Sequence, residues 1–195
     1  MGSFTSLASP AAVAQSFKHN RIVPALRSSK DVEKVARLSQ RVVFLLGTSV
    51  VTYGKQMEVL REAGHIVFVH FDLIEGLKGD SVGFSFLMNE MVPDGIISTH
   101  KAILSLAKKN GLMRLLRVFM LDSDALAKGY QLAQSVQPDF VELLPGSSLP
   151  LLGDRALRDF NFPLIAGGLV TSLEQVHAIL AKRVLAVSTS EKSLW

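Results

Sequence analysis

Two glycines, Gly167 and Gly168, stand between an apolar run and an amphipathic one in PLIAGGLVTSLEQVHAIL. With no Cβ in the way, backbone N–H groups at such a junction can approach an anion. A helix starting near Ser172 adds unpaired donors and the positive end of its dipole. That combination describes a phosphate cradle. At the end of the last apolar run, Ser188, Thr189 and Ser190 offer further hydroxyls and amides just before the terminal EKSLW. The same residues also read as a tight turn with serine caps.

The second constellation is acidic. In IVFVHFDLIEGLKGD, His70 and Asp72 share one face of a strand of period two, and Glu75 follows in the loop. A carboxylate at a strand end can accept hydrogen bonds from ligand hydroxyls or act as a general base. His70 reads equally as a satisfied core residue. No metal is expected, because the spacing of His70, Asp72 and Glu75 matches no strong ligand motif. Glu142 in FVELLPG and Arg117 in LRVFMLD are charges inside apolar runs, so each must face a partner, a ligand or water. Pairing with each other competes with a ligand role. Gly146 clears space at the end of Glu142's strand. With no nucleophile elbow, no P-loop and no lysine within a strand run, Asp72 and Glu142 are the candidates for acid–base catalysis.

These residues need elements to position them. From Arg21 onward, about eight short β-rich runs alternate with stretches of helical period. Parallel neighbours require crossovers long enough to hold a helix, so the pattern predicts an α/β fold, a compact (β/α)8 barrel of the TIM type. Its last helix is truncated, since only EKSLW follows the final run. An open doubly wound sheet is the alternative. In a barrel, ligands gather at the C-terminal ends of the strands, with phosphate on the loops after strands seven and eight. Gly167, Gly168 and Ser188 to Ser190 fall on those loops. Residues 1–20 read as a flexible arm with one helical turn around Ala11 to Phe17, and 21–195 as a single barrel domain. Gly64 and Gly111 suit helix C-caps, and Asp80, Ser123 and Ser172 suit N-caps, Ser172 forming a capping box with Gln175.

A chain of 195 residues with 48% hydrophobic content supports one sizeable core. No run reaches the roughly 18 apolar residues of a membrane span, so a soluble protein is expected. The absence of cysteine excludes disulfides and thiolate zinc sites and points to the cytoplasm. A net charge of +4 suits a polyanionic partner. The basic residues are nevertheless dispersed, with no RNP-type motif or arginine block. Lys101, Lys108, Lys109 and Arg114 gather around one helix, where a solvated face is the default reading.

The segments FVHFDLIEGLKGD, PDGIISTHKAI, FMLDSDALAKGYQL, QPDFVELLPG, PLIAGGLVTSLEQV and STSEKSLW resemble, in order from about Ile22 to Trp195, the glycerol-3-phosphate-responsive antiterminators that regulate bacterial glycerol-uptake operons. The resemblance implies a barrel that binds glycerol 3-phosphate as effector, needs no cofactor and performs no catalysis. It also implies binding to the leader mRNA of glycerol-utilisation genes, where the protein prevents a terminator hairpin. Phosphate would lie on Gly167, Gly168, Ser188, Thr189 and Ser190; glycerol would lie on His70, Asp72, Glu142 and Gly146. RNA would be met by Lys101, Lys108, Lys109 and Arg114. A homo-oligomer is left open. The chain departs from the family pattern at Gly47 and Ser49, in place of an acidic residue and a histidine, at His100 in place of an arginine, and at Leu116 in place of a glutamine. These departures bear on ligand preference and RNA affinity. A phosphosugar isomerase or lyase using Asp72 and Glu142 is the alternative function.

Overall fold

The computed structural model describes residues 9–39 and 42–195, with 154 and 155 described by backbone alone. Eight parallel strands, β1 (Ile22–Leu26), β2 (Val42–Leu45), β3 (Ile66–His70), β4 (Gly95–Ser98), β5 (Met113–Phe119), β6 (Phe140–Leu144), β7 (Leu164–Gly167) and β8 (Ala186–Thr189), pair in chain order. Strand β1 pairs with β8 as well as with β2, which closes the barrel and excludes the open sheet.

Period-two patterning divides each strand between two cores. One face of the strands, with Phe44, Phe68, Ile97, Leu115, Phe140 and Ile165, fills the barrel interior. Val43, Val67, Val69, Ile96, Leu116 and Val141 lie on the other face, in the core shared with the helices. These are α2 (Ser29–Val35), α3 (Tyr53–Glu62), α4 (Ser81–Glu90), α5 (Lys101–Lys109), α6 (Ser123–Val136) and α7 (Leu173–Leu180). After β6 two short 3-10 turns replace a helix, and after β8 only the turn Lys192–Leu194 remains. That turn folds back on α2: Lys192 pairs with Asp31, and Lys34 lies over the Trp195 ring. Among the described residues, no helix is long and apolar enough to cross a membrane.

Local chemistry fixes the boundaries. Gly64 and Gly111 adopt φ of 78° and 72°, the left-handed region in which glycine avoids a Cβ clash. Asp80 accepts from the amides of Val82 and Gly83 as the N-cap of α4. At α6 the cap is Asp122, one residue before the expected Ser123, and it accepts from the Ala125 amide. A carboxylate there both accepts a hydrogen bond and meets the helix dipole.

The N-terminal segment differs from a flexible arm with one helical turn. Residues 1–8 lie outside the described residues, but Pro10–His19 form a full helix, α1, capped by Ser9. Val13 and Phe17 are buried, and the Phe17 ring meets Phe140 edge to face at 6.2 Å. The helix plugs the N-terminal end of the barrel interior, where the strands alone would leave Phe140 uncovered. Phe17→Ala should therefore cost about 3 kcal/mol in urea unfolding. A loss below about 0.5 kcal/mol, as at an ordinary surface site, would contradict the plug.

Candidate functional site

Above the apolar interior lies one polar crosspiece. Arg117 and Glu142 are register partners on β5 and β6, and Nη2 of the guanidinium lies 2.7 Å from Oε2 of the fully buried carboxylate. Arg117 Nε donates to the same oxygen. The other oxygen, Oε1, accepts from Ser188 Oγ on β8 at 2.5 Å. Glu142 thus reaches across β7 to bond with β8. The crossing passes over Gly167, where an added Cβ would lie 2.2 Å from Ser188 Oγ and 2.4 Å from Glu142 Oε1. Gly167 provides this clearance, a role in the scaffold that its expected place in an anion cradle did not include.

Backbone of unusual conformation begins one residue later. Gly168 and Leu169 adopt successive left-handed φ values of 84° and 57°. For leucine that conformation costs about 1–2 kcal/mol, and this leucine is 74% exposed, so burial does not offset the strain. Thr189 Oγ1 donates to Val170 O at 2.7 Å, which ties the loop after β7 to the end of β8. The two loops meet. Among the described residues, the amides of Gly168, Leu169 and Ser190 enter no hydrogen bond. The helix start contributes less than expected, because Ser172 caps the Gln175 amide and Gln175 Oε1 accepts from the Thr171 amide.

Gly168, Leu169 and Ser190 line a cavity of about 290 Å³ at the barrel mouth, with Arg117 and Glu142 among its other walls. Arg27, just beyond β1, lines it too and makes no ion pair or side-chain hydrogen bond among the described residues. Glu191 also borders the cavity, but its carboxylate accepts from the amide and hydroxyl of Ser193. The arrangement supplies backbone donors and the Arg27 guanidinium around one opening, beside the Arg117–Glu142 pair. It can seat an anion of phosphate size.

Several expected ligand residues hold the scaffold together. Ser188 and Thr189 line the cavity and are also tied into the scaffold: Ser188 Oγ donates to Glu142, and Thr189 Oγ1 donates to Val170 O and accepts from the Glu191 amide. Asp72 accepts from Ser98 Oγ, the Thr99 amide and Thr99 Oγ1, stapling the end of β3 to that of β4, and it does not line the cavity. Gly146 allows backbone to press on backbone: its Cβ would stand 2.9 Å from the Gly167 nitrogen. His70 is buried, does not line the cavity, and its Nδ1 has no partner among the described residues. Burial and the Arg117 charge, opposed by Asp72, push its pKa down to about 4.

The RNA candidates divide. Lys101 opens α5 and Lys108 and Lys109 close it, all three exposed. The two ends stand about 10 Å apart along the axis. Arg114 is bound to Asp139 and the Val136 carbonyl, which removes it from that group. Of the departures from the family pattern, Leu116 is buried beneath the helices, away from the mouth. Gly47 and Ser49 border a neighbouring cavity. His100 is exposed before α5. Sequence reasoning missed Arg27, whose period-two relation to Val23 and Ala25 on β1 was the available signal.

Two measurements follow. Arg117→Met leaves Glu142 buried without its counter-charge and should destabilise by about 3–5 kcal/mol, most of which Glu142→Leu in the same chain should restore. A double variant no more stable than the single one would contradict the pairing. For His70 the folded pKa is depressed below 6.5, so the unfolded chain takes up the proton first. The stability supplied by the neutral ring is complete above about pH 6.5 and is lost toward pH 4, at up to about 1.4 kcal/mol per pH unit. His70→Asn should flatten urea-derived stability over that window. Parallel profiles would refute the assignment.

A family model for the glycerol-3-phosphate responsive antiterminator matches residues 22–195. Among solved structures, the glycerol uptake operon antiterminator regulatory protein of Listeria monocytogenes is 39% identical, with a TM-score of 0.84 over 90% of this chain and 95% of that one. A glycerol uptake operon antiterminator-related protein of Thermotoga maritima is 33% identical, with a TM-score of 0.77 over 89% and 96%. The uncharacterized protein YgcP of Escherichia coli K12 is 30% identical, the match covering 91% of this chain and 93% of that one. By this match over nearly its whole length, the chain belongs to the glycerol-3-phosphate responsive antiterminator family.

Proposed function

We propose that the protein is a glycerol 3-phosphate-responsive, RNA-binding antiterminator, acting in the cytoplasm on the leader mRNA of glycerol-utilisation genes, without catalysis. The observation that carries this reading is the set of unengaged amides at Gly168, Leu169 and Ser190 around one cavity with Arg27. The phosphate sits on those amides, with Arg27 supplying charge. The glycerol hydroxyls lie against the cavity wall formed by the Arg117–Glu142 pair. Phosphate spans the loops after β7 and β8 and bonds to both, so it favours the state in which they are locked together. That preference is what a ligand needs in order to shift a conformational equilibrium.

Catalysis fits the geometry poorly. A Schiff-base enzyme requires a desolvated lysine, and none of the eight strands carries one. An acid–base pair requires two carboxylates on one substrate, whereas Glu142 borders the cavity and Asp72 does not. For RNA, exposed Lys101, Lys108 and Lys109 provide phosphate contacts that position the nucleic acid without reading its sequence.

The test is filter binding of the leader transcript with and without glycerol 3-phosphate. Saturating effector should tighten RNA binding about tenfold, corresponding to about 1.4 kcal/mol of preference. Binding should weaken steeply with salt, and the Lys108→Glu, Lys109→Glu double variant should weaken it further. RNA affinity indifferent to glycerol 3-phosphate would overturn the regulatory reading.

A further inference from the structure

A second cavity of about 410 Å³ adjoins the phosphate lobe, and the two share Arg27 and Leu46 as walls. It lies over the loops after β1 and β2. Its polar lining is mostly hydroxyl: Ser28, Ser29, Thr48, Ser49 and Thr52. Gln56, on the first turn of α3, completes it. This side chain is 5% exposed; its Nε2 donates to Ser29 Oγ at 3.1 Å, while its Oε1 is buried with no hydrogen-bond partner among the described residues.

A buried amide oxygen without a partner costs on the order of 1–3 kcal/mol, so a ligand group that answers it gains correspondingly. Gly47 lets the loop after β2 press on the end of β1, where any Cβ would lie 2.0 Å from the Arg27 carbonyl oxygen. The chemistry of the lining narrows the occupant. Among the described residues no aromatic side chain borders the lobe, which leaves a flat base without a ring to stack on. Glu75 places a carboxylate on the lobe and disfavours a second phosphate. What remains is an uncharged chain rich in hydroxyls, which both donate and accept and can satisfy Gln56 with its amide in either orientation.

We propose that this lobe is a second ligand subsite, so that the mouth takes a linear polyol monophosphate of five or six carbons. Its phosphate occupies the seat at Gly168 and Ser190, and its further hydroxyls pass Arg27 to reach Gln56 and Ser49. The inference rests on the phosphate seat of the proposed function. It departs from that reading in the length of the ligand.

Isothermal titration of the full chain with glycerol 3-phosphate and with ribitol 5-phosphate separates the two. The longer ligand should bind at least tenfold more tightly. Gln56→Leu should abolish that gain while leaving the glycerol 3-phosphate Kd within twofold; should that variant not fold, Ser49→Val supplies the same comparison. If glycerol 3-phosphate binds and ribitol 5-phosphate binds no better, the second subsite falls and the phosphate seat stands. If ribitol 5-phosphate alone binds, the subsite stands and glycerol 3-phosphate is not the effector. If neither binds, both readings fall. Equal losses for both ligands in Gln56→Leu would also overturn the subsite, because Gln56 would then not distinguish chain length.

Discussion

A carboxylate buried in a barrel interior must be answered, and the answer given to Glu142 organises the mouth of this one. Its two oxygens reach Arg117 on β5 and Ser188 on β8, spanning strands that are not neighbours. Only an intervening residue without a side chain permits that span, and Gly167 supplies it. The crosspiece closes the barrel above its apolar filling and gives the cavity a charged, rigid floor. Replacing such a pair by apolar residues need not cost stability, so its retention fits a role in holding the floor's shape.

Rigidity below and openness above are complementary. Thr189 fixes Val170, Trp195 Nε1 donates to the Thr189 carbonyl, and the terminal turn is tied to α2 through Lys192 and Asp31. The chain around the cradle is therefore held from several sides. At its centre, two consecutive left-handed residues leave their amides unpaired. The strain at Leu169 is the kind that persists where the surrounding structure determines it and a ligand uses it. In the proposed function, this is where effector binding becomes a change in loop order.

Much of this architecture was legible in the chain. Alternation of β-rich and helical-period segments requires parallel strands with crossovers, and eight such units close a barrel, as the β1–β8 pairing shows. The placement of Gly168 and Ser190 on adjoining loops was legible for the same reason. The roles of individual polar residues were less so, because they depend on partners far away in sequence. The Ser98 and Thr99 groups that bond Asp72, and the Glu142 side chain that crosses Gly167, lie more than twenty residues from them in sequence. Arg114 is exposed by composition and engaged by geometry. The helix α1 was obscured by a segment rich in serine and alanine, whose buried residues Val13 and Phe17 show their four-residue spacing once the barrel end they cover is known.

The central claim is that glycerol 3-phosphate binds through the backbone between β7 and α7 and at the end of β8. Amide chemical shifts in 15N-labelled protein titrated with glycerol 3-phosphate test it most directly. The account predicts that the largest changes fall on the amides of Gly168, Leu169 and Ser190, with the Arg27 side chain responding and the α1 plug silent. Changes centred on the loops after β3 and β4, or none at saturating ligand, would contradict it.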